Sequence, residues 1–298
     1  MKKVIAIIGP TAVGKTKLSV ELAKKLNGEI INADSTQIYK DLNIATAKIR
    51  EDEKNGIVHH LFDIANVKED YTVYDYQKDV RHLIDDITSR GKIPILCGGT
   101  GLYIKAALYD YVFTEEDGKK ETVNFDNLSN EKLYEIIYKH DPNTKIHINN
   151  RQRLIRTYNS IIKNGVVPNK NSNKILYNVR FIGLTTARDV LYDRINKRVD
   201  IMMENGLLKE AEWVYLSKLR TKAIMTPIGY KELFPYFDNL TSLESCLDNV
   251  KKSSRRYAKR QYTWFNNQFN TVWYDVDFIN FDNTIKTVIK DLKNNFLN

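Results

Sequence analysis

The chain has 298 residues, about two domains at the usual ~150 residues each, which is enough to bury a sizeable core. With 42% hydrophobic and 28% charged residues it lies in the globular range, excluding wholesale disorder and a bundle of membrane helices. Forty-six Lys and Arg against 37 Asp and Glu leave a net charge of +9, so polyanionic partners are favoured, whether nucleic acid, phosphorylated substrate or lipid headgroup.

The apolar run Val4 to Ile8 reads as a buried strand. It stops at Gly9-Pro10, short of the ~7 to 15 residues of a signal-peptide core. No later run approaches the ~18 to 20 residues of a membrane span, so a cytoplasmic chain without a membrane partner is expected. Thr16 to Leu26 carries Leu18, Leu22, Ala23 and Leu26 at helical spacing and stops at Asn27-Gly28. Glu29 to Ala33 follows as a second strand, about Tyr74 to Ser89 as a helix ending at Gly91, and Ile93 to Cys97 as another strand. Short apolar runs alternating with helical segments predict a parallel sheet with crossover helices.

Near Thr114 the pattern breaks into the charged run Glu115-Glu116-Asp117-Gly118-Lys119-Lys120. Two helical patterns then run from Ser129 to about Gly165, parted by Asp141-Pro142 and followed by the polar stretch Asn169 to Lys174. A strand returns at Val179 to Leu184, and long helices are expected over about Val190 to Leu219 and Leu243 to Phe265. The expected architecture is an α/β fold: with Gly9-x-x-x-x-Gly14-Lys15-Thr16 straight after the first strand, a P-loop NTPase-like parallel sheet flanked by helices. Its core spans 1–114 and 178–298, interrupted by a small α-helical insertion domain at 115–177.

The strongest chemical signal is Gly9-Pro10-Thr11-Ala12-Val13-Gly14-Lys15-Thr16, a complete G-x-x-x-x-G-K-T between a strand and a helix. Phosphate oxygens need several N–H groups converging on one point, and glycines let the chain curl that tightly. The helix N-terminus adds to the pull. Lys15 supplies a movable cation, and the Thr16 hydroxyl is a candidate ligand for magnesium, the expected cofactor. Strand Ile93 to Cys97 ends in Gly98-Gly99-Thr100-Gly101 without an acid, whereas Asp34 follows the second strand. Strand C-termini gather at one edge of a parallel sheet, so Asp34, Thr100 and the P-loop are expected to face one crevice.

His59-His60 is expected to pack structurally, because neighbours on an extended chain point to opposite faces. Cys97 and Cys246 fit neither a disulfide framework nor a zinc site, and imply a reducing compartment. On the helix beginning near Arg151, Leu154, Ile155, Tyr158, Ile161 and Ile162 form the expected buried face, so Gln152, Arg153 and Arg156 project oppositely. Later, Leu243, Leu247, Val250, Ser254, Tyr257, Gln261 and Trp264 form a seam flanked by Lys251, Lys252, Arg255, Arg256, Lys259 and Arg260. A solvated helix mixes signs, so this run, Arg255, Arg256 and Lys259 above all, suggests an anionic polymer as partner.

Taken in order, these segments resemble the bacterial tRNA dimethylallyltransferase (IPP transferase) family over nearly the whole chain. The resemblance rests on Gly9 to Thr16, Asp34-Ser35-Thr36-Gln37-Ile38-Tyr39, His59 to Ile64 and Gly98 to Tyr103. It continues in Ile146-His147, Gln152 to Arg156, Gly229-Tyr230-Lys231-Glu232 and Arg256 to Phe265. It implies that the P-loop, Gly9 to Thr16, holds the diphosphate of dimethylallyl diphosphate with magnesium. By the same resemblance Asp34 is the general base, Thr100 lies near the reacting groups, and Arg198 assists the diphosphate. Asp34, Ser35, Thr36 and Gln37, with Gln152, Arg153, Leu154, Ile155 and Arg156, are implied to touch tRNA, whose target adenosine flips out to react. The chain departs from the family at Ala45-Thr46-Ala47-Lys48-Ile49, where Gly-Thr-Ala-Lys-Pro is usual, and at Ile148, where proline is usual. Both changes bear on loop course. A monomer is expected. A P-loop small-molecule kinase, which leaves the helical insertion and both basic helices without a task, and a non-catalytic RNA-binding NTPase, which would hydrolyse nucleotide without prenyl transfer, remain as alternatives.

Overall fold

In a computed structural model of the protein, residues 1–111, 113, 128–164 and 174–297 are described. The apolar run at the N-terminus folds as β1 (Lys3–Ile8), whose alternate side chains enter opposite cores: Val4, Ala6 and Ile8 on one face, Ile5 and Ile7 on the other. The P-loop leads into α1 (Lys15–Leu26), which ends on Asn27 in the left-handed conformation, with Lys24 and Lys25 against its C-terminal dipole. Next come β2 (Gly28–Asn32), the short α2 (Glu51–Lys54), β3 (His59–His60) and α3 (Val73–Ser89), which Thr72 and Asp75 cap reciprocally. β4 (Ile93–Cys97) and α4 (Gly101–Leu108) complete the first half.

After the helices α5 (Asn130–His140) and α6 (Arg151–Asn164), the chain resumes with β5 (Asn178–Thr185), α7 (Arg188–Glu204) and α8 (Leu207–Leu216). Two short helices, α9 (Lys222–Met225) and α10 (Phe234–Phe237), precede the long α11 (Leu243–Gln268), then β6 (Thr271–Asp275), α12 (Phe281–Leu292) and a terminal π turn, Lys293–Leu297. The strands form one parallel sheet in the order β3-β2-β4-β1-β5-β6. Residues from α1, α7 and α12 fill one face, including Leu18, Leu22, Leu191, Ile195, Ile285 and Val288; α3, α4 and α8 cover the other. This is the expected flanked parallel α/β sheet.

Four expectations need correction. The helix anticipated over 190–219 is two, because Asn205 ends α7 and Gly206, at φ 99°, starts α8. Strand β3 was not expected: its two histidines carry no apolar run, and it exists by pairing Ile30 and Ile31 with His59 and His60. β6 and α12 likewise lie beyond the anticipated elements. Ile162, expected in a buried face, is 64% exposed.

Chain contacts divide the molecule into one unit of Met1–Asp110 with Lys174–Asn298 and a second of Tyr111–Asn173. In the first, the two chain passages at its border pair as antiparallel backbone, Leu176 N–H donating to Leu108 O at 2.9 Å and Asp110 N–H to Lys174 O at 3.0 Å. In the second, Leu133 and Ile137 of α5 pack on Leu154 and Ile161 of α6. The run Glu115 to Lys120 and the stretch Asn169 to Asn173 lie outside the described residues.

Candidate active site

The P-loop owes its course to backbone that few residues tolerate. Gly9 has φ 136°, and a Cβ there would lie 2.7 Å from Leu184 O on β5. Gly14, the N-cap of α1, has φ 91°, and Ala12 between them is left-handed at φ 68°. Arg194 Nε donates to Ala12 O at 2.9 Å, while its guanidinium lies 3.7 Å from the Phe278 ring centroid, so α7 braces the strained turn. Val13 is fully buried and anchors the loop in the core.

Lys15 Nζ donates to Pro10 O at 2.6 Å. Desolvation lowers its pKa to about 8; Cys97 and Asp34 oppose the shift, and Arg198 adds to it. Burial also lowers the pKa of Arg198, which has no hydrogen-bond or ion-pair partner among the described residues. Two cations therefore share a poorly solvated place without an acid in direct contact. Thr16, on the first turn of α1, lines the same cleft, and its hydroxyl makes no hydrogen bond among the described residues.

Asp34 stands past the C-terminal end of β2. Asn32 fixes that end: its side-chain amide donates to Asp34 O and Leu61 O, both at 3.0 Å, and its Oδ1 accepts from Asp34 N–H at 2.8 Å. Thr36 donates to Asp34 Oδ1 through both N–H, at 3.0 Å, and Oγ1, at 2.7 Å. The carboxylate is thus held by one oxygen, and Oδ2 accepts no hydrogen bond among the described residues. Thr100 Oγ1 accepts from Ser35 N–H at 3.0 Å and meets Ser35 Oγ at 3.2 Å, so the turn after β4 reaches the Asp34 segment. Gly98 permits this approach, since a Cβ there would stand 2.2 Å from Ala33 O.

The cleft measures about 1500 Å³ and is lined by Thr11, Lys15, Thr16, Asp34 and Arg198, with Arg256 and Arg260 from α11. Gln37 also lines it and donates to Thr46 O at 3.0 Å and Ala47 O at 3.2 Å, fixing the following loop. Glu210 holds the other end of that loop: its carboxylate accepts from the N–H groups of Asn43, Ile44 and Ala45 at 2.9 to 3.0 Å and from Tyr230 OH at 2.7 Å. Lys48 Nζ lies 2.6 Å from Asp63 Oδ1. Ala45, at the family's glycine position, does not adopt a left-handed φ, so alanine fits there without strain. The Glu210 contact joins residues some 165 positions apart and has no local sequence signal.

The basic run on α11 is less uniform than expected. Lys251 Nζ pairs with Asp200 Oδ1 at 2.7 Å, and Arg255 donates to Asn196 Oδ1 at 2.6 Å, so acids and amides on α7 partner what α11 itself leaves bare. Arg256, Lys259 and Arg260 are exposed, as are Gln152, Arg153 and Arg156 on α6. Leu154 is fully buried, which makes it a support for that polar face, and Ile155 is half-buried beside it. His59 Nδ1 contacts Ile57 O and His60 Nε2 lies 2.8 Å from Glu29, so both imidazoles have local structural partners.

The sequence profile of a family described as IPP transferase matches residues 37–268. The chain belongs to the IPP transferase family. It is 47% identical over 286 residues to a tRNA dimethylallyltransferase of Bacillus anthracis, covering 92% of this chain and 91% of that one. A tRNA dimethylallyltransferase of Anoxybacillus flavithermus is 44% identical, with 99% and 97% covered. Among solved structures, the tRNA isopentenylpyrophosphate transferase of Bacillus halodurans superposes with a TM-score of 0.76 at 42% identity, covering 99% of this chain and 96% of that one. A eukaryotic dimethylallyltransferase acting on tRNA gives a TM-score of 0.88 at 32% identity, covering 100% and 80%.

Proposed function

We propose that this IPP transferase moves a dimethylallyl group from dimethylallyl diphosphate to N6 of the adenosine next to the anticodon of tRNA, releasing diphosphate. The observation that carries the reading is a single cleft holding two partner-poor cations, Lys15 and Arg198, together with a carboxylate, Asp34, whose Oδ2 accepts from no donor among the described residues. The relatives named tRNA dimethylallyltransferase supply the substrate classes.

An exocyclic amine conjugated to a purine is a poor nucleophile, so the donor must do most of the work. As the allylic C–O bond breaks, its electron pair leaves with the diphosphate and positive charge develops on carbon. Lys15, Arg198 and the loop amides stabilise the departing anion in surroundings where water competes weakly. N6 then bonds to the allylic carbon. A carboxylate is too weak a base to strip N6 beforehand, but Asp34 Oδ2 can orient the amine and take its proton once the nitrogen is cationic, a contribution typically of ~10² to 10⁴ in rate. Thr100, bonded to Ser35, holds the Asp34 segment and the turn after β4 in register.

Magnesium fits the donor set, since it binds through few protein oxygens with phosphates and waters completing its shell, and the Thr16 hydroxyl is available. When bound, it supplies further charge neutralisation on the diphosphate. Arg256 and Lys259 on α11, with Gln152, Arg153 and Arg156 of the helical unit, serve as tRNA contacts. The reading includes a cytoplasmic, monomeric enzyme; no helix among the described residues is long and apolar enough to cross a membrane.

Incubation with magnesium, dimethylallyl diphosphate and an anticodon stem-loop is expected to raise the mass of the adenosine by ~68 Da, one C5H8 unit. Hydrolysis of nucleotide with no such gain would favour an RNA-binding NTPase.

A further inference from the structure

Helix α11 buries one polar side chain at the wall of the cleft. Gln261 is buried, 5% exposed. Its Oε1 accepts from the P-loop amide Thr11 N–H at 3.1 Å, and its Nε2 donates to Gly99 O at 3.1 Å. The backbone groups leave no ambiguity about the amide's orientation, because an N–H can only donate and a C=O can only accept. One side chain therefore ties the diphosphate loop to the turn that carries Thr100, across 250 residues of sequence on one side and 162 on the other.

We infer that Gln261 is a positioning residue that sets the distance between the diphosphate cradle and the Asp34 side of the cleft, which the Thr100 turn supports through Ser35. The inference rests on the transfer reaction proposed above. Three observations support it. The turn is shaped for this amide, as a Cβ on Gly99 would stand 2.2 Å from Gln261 Nε2. Neighbouring α11 side chains engage the same turn: Tyr257 OH approaches Gly99 O at 3.5 Å, and the Trp264 ring occupies the space where Gly101 would carry a Cβ. Finally, only a group with a donor and an acceptor at the end of a three-carbon reach satisfies both partners. A carboxylate offers acceptors alone and would leave Gly99 O only the long contact from Tyr257 OH, facing a buried negative charge.

That last point gives a test which mere structural support would not pass. Gln261→Glu keeps the shape but can bridge only when its carboxyl is protonated, and burial favours that form. Gln261→Leu keeps bulk and can never bridge. Both variants are compared with wild type in single-turnover transfer from pH 6 to 8.5, alongside thermal melting and tRNA binding. At pH 8 both are expected to transfer roughly 10- to 100-fold more slowly, with tRNA affinity nearly unchanged, because reacting groups are displaced while the RNA contacts are intact. As pH falls, the ratio of Gln261→Glu to wild type should recover, and that of Gln261→Leu should stay flat. Gly99→Ala reaches the same amide from the other side. It should reproduce the slow rate if Gln261→Glu fails to fold. Wild-type rates in both Gln261 variants, or matching flat ratios at every pH, would overturn the inference. Absence of transfer by wild type would instead overturn the proposed reaction.

Discussion

Strand β2 carries charge at both ends, and the two ends are built on opposite principles. At its start, Glu29 is 3% exposed, yet Arg90 Nη2 lies 2.8 Å from Oε2, Lys92 Nζ 2.7 Å from Oε1 and His60 Nε2 2.8 Å from Oε2. Past its other end, Asp34 lines a cleft in which, among the described residues, its Oδ2 has no donor, Arg198 has no hydrogen-bond or ion-pair partner and Lys15 donates only to a carbonyl. A buried charge whose partners are complete is architecture, since removing one partner strands the rest. Charges partly withdrawn from water and left incomplete are costly to fold and make physical sense when a ligand of opposite sign completes them.

The cleft end should show the largest effect on rate. Asp34→Ala is expected to lower single-turnover transfer by at least ~10² with tRNA affinity nearly intact. Near-normal turnover would remove Asp34 from the role of base. The Glu29 end should show the mirror image. Glu29→Gln is expected to cost about 3 kcal/mol in denaturant unfolding, at the low end for a broken buried pair because Arg90 and Lys92 reach solvent, while kcat is unchanged.

The Glu29 cluster also predicts a pH dependence. Hydrogen bonds from Arg90, then Lys92 and His60, outweigh desolvation and hold the Glu29 pKa well below the ordinary carboxylate range. Its contribution to stability is thus complete above the unfolded-state value of ~4.3 and fades as pH falls below it. Unfolding curves of wild type and Glu29→Gln should converge in acid. On α11 the same contrast is milder. Neutralising exposed Arg256 and Lys259 should flatten the salt dependence of tRNA binding by roughly 0.7 to 0.9 per lost contact, whereas Lys251→Gln, whose lysine is already paired with Asp200, should leave it unchanged.

The two ends of β2 were not equally legible in the sequence. The P-loop is written in contiguous residues, and Asp34 follows from topology, because parallel strands bring their C-terminal ends to one edge. The partners of Glu29 come from β3, from the residue that ends α3 and from the turn before β4, and the two-residue β3 has no apolar run to announce it. Glu210 and Gln261 were illegible as cleft supports for a similar reason: each acts on backbone groups far away in the chain, and a backbone group has no letter of its own. The break at Asn205-Gly206 carries the same stop signal as Asn27-Gly28, but helical periodicity continues on both sides of the one left-handed residue and masks it. The pairing of Lys251 escaped because its acid lies on α7, beyond any i,i+4 rule.

The central claim is that the cleft's cations are incomplete until a diphosphate arrives, and Lys15 tests it directly. Desolvation lowers the Lys15 pKa to about 8, so part of its charge is lost in mildly alkaline solution, and a bound anion should restore it. Calorimetric titration with dimethylallyl diphosphate, in buffers of differing ionisation enthalpy between pH 7.5 and 9, is expected to show greater proton uptake by wild type than by the always-charged Lys15→Arg variant. Equal proton uptake by the two would contradict the account.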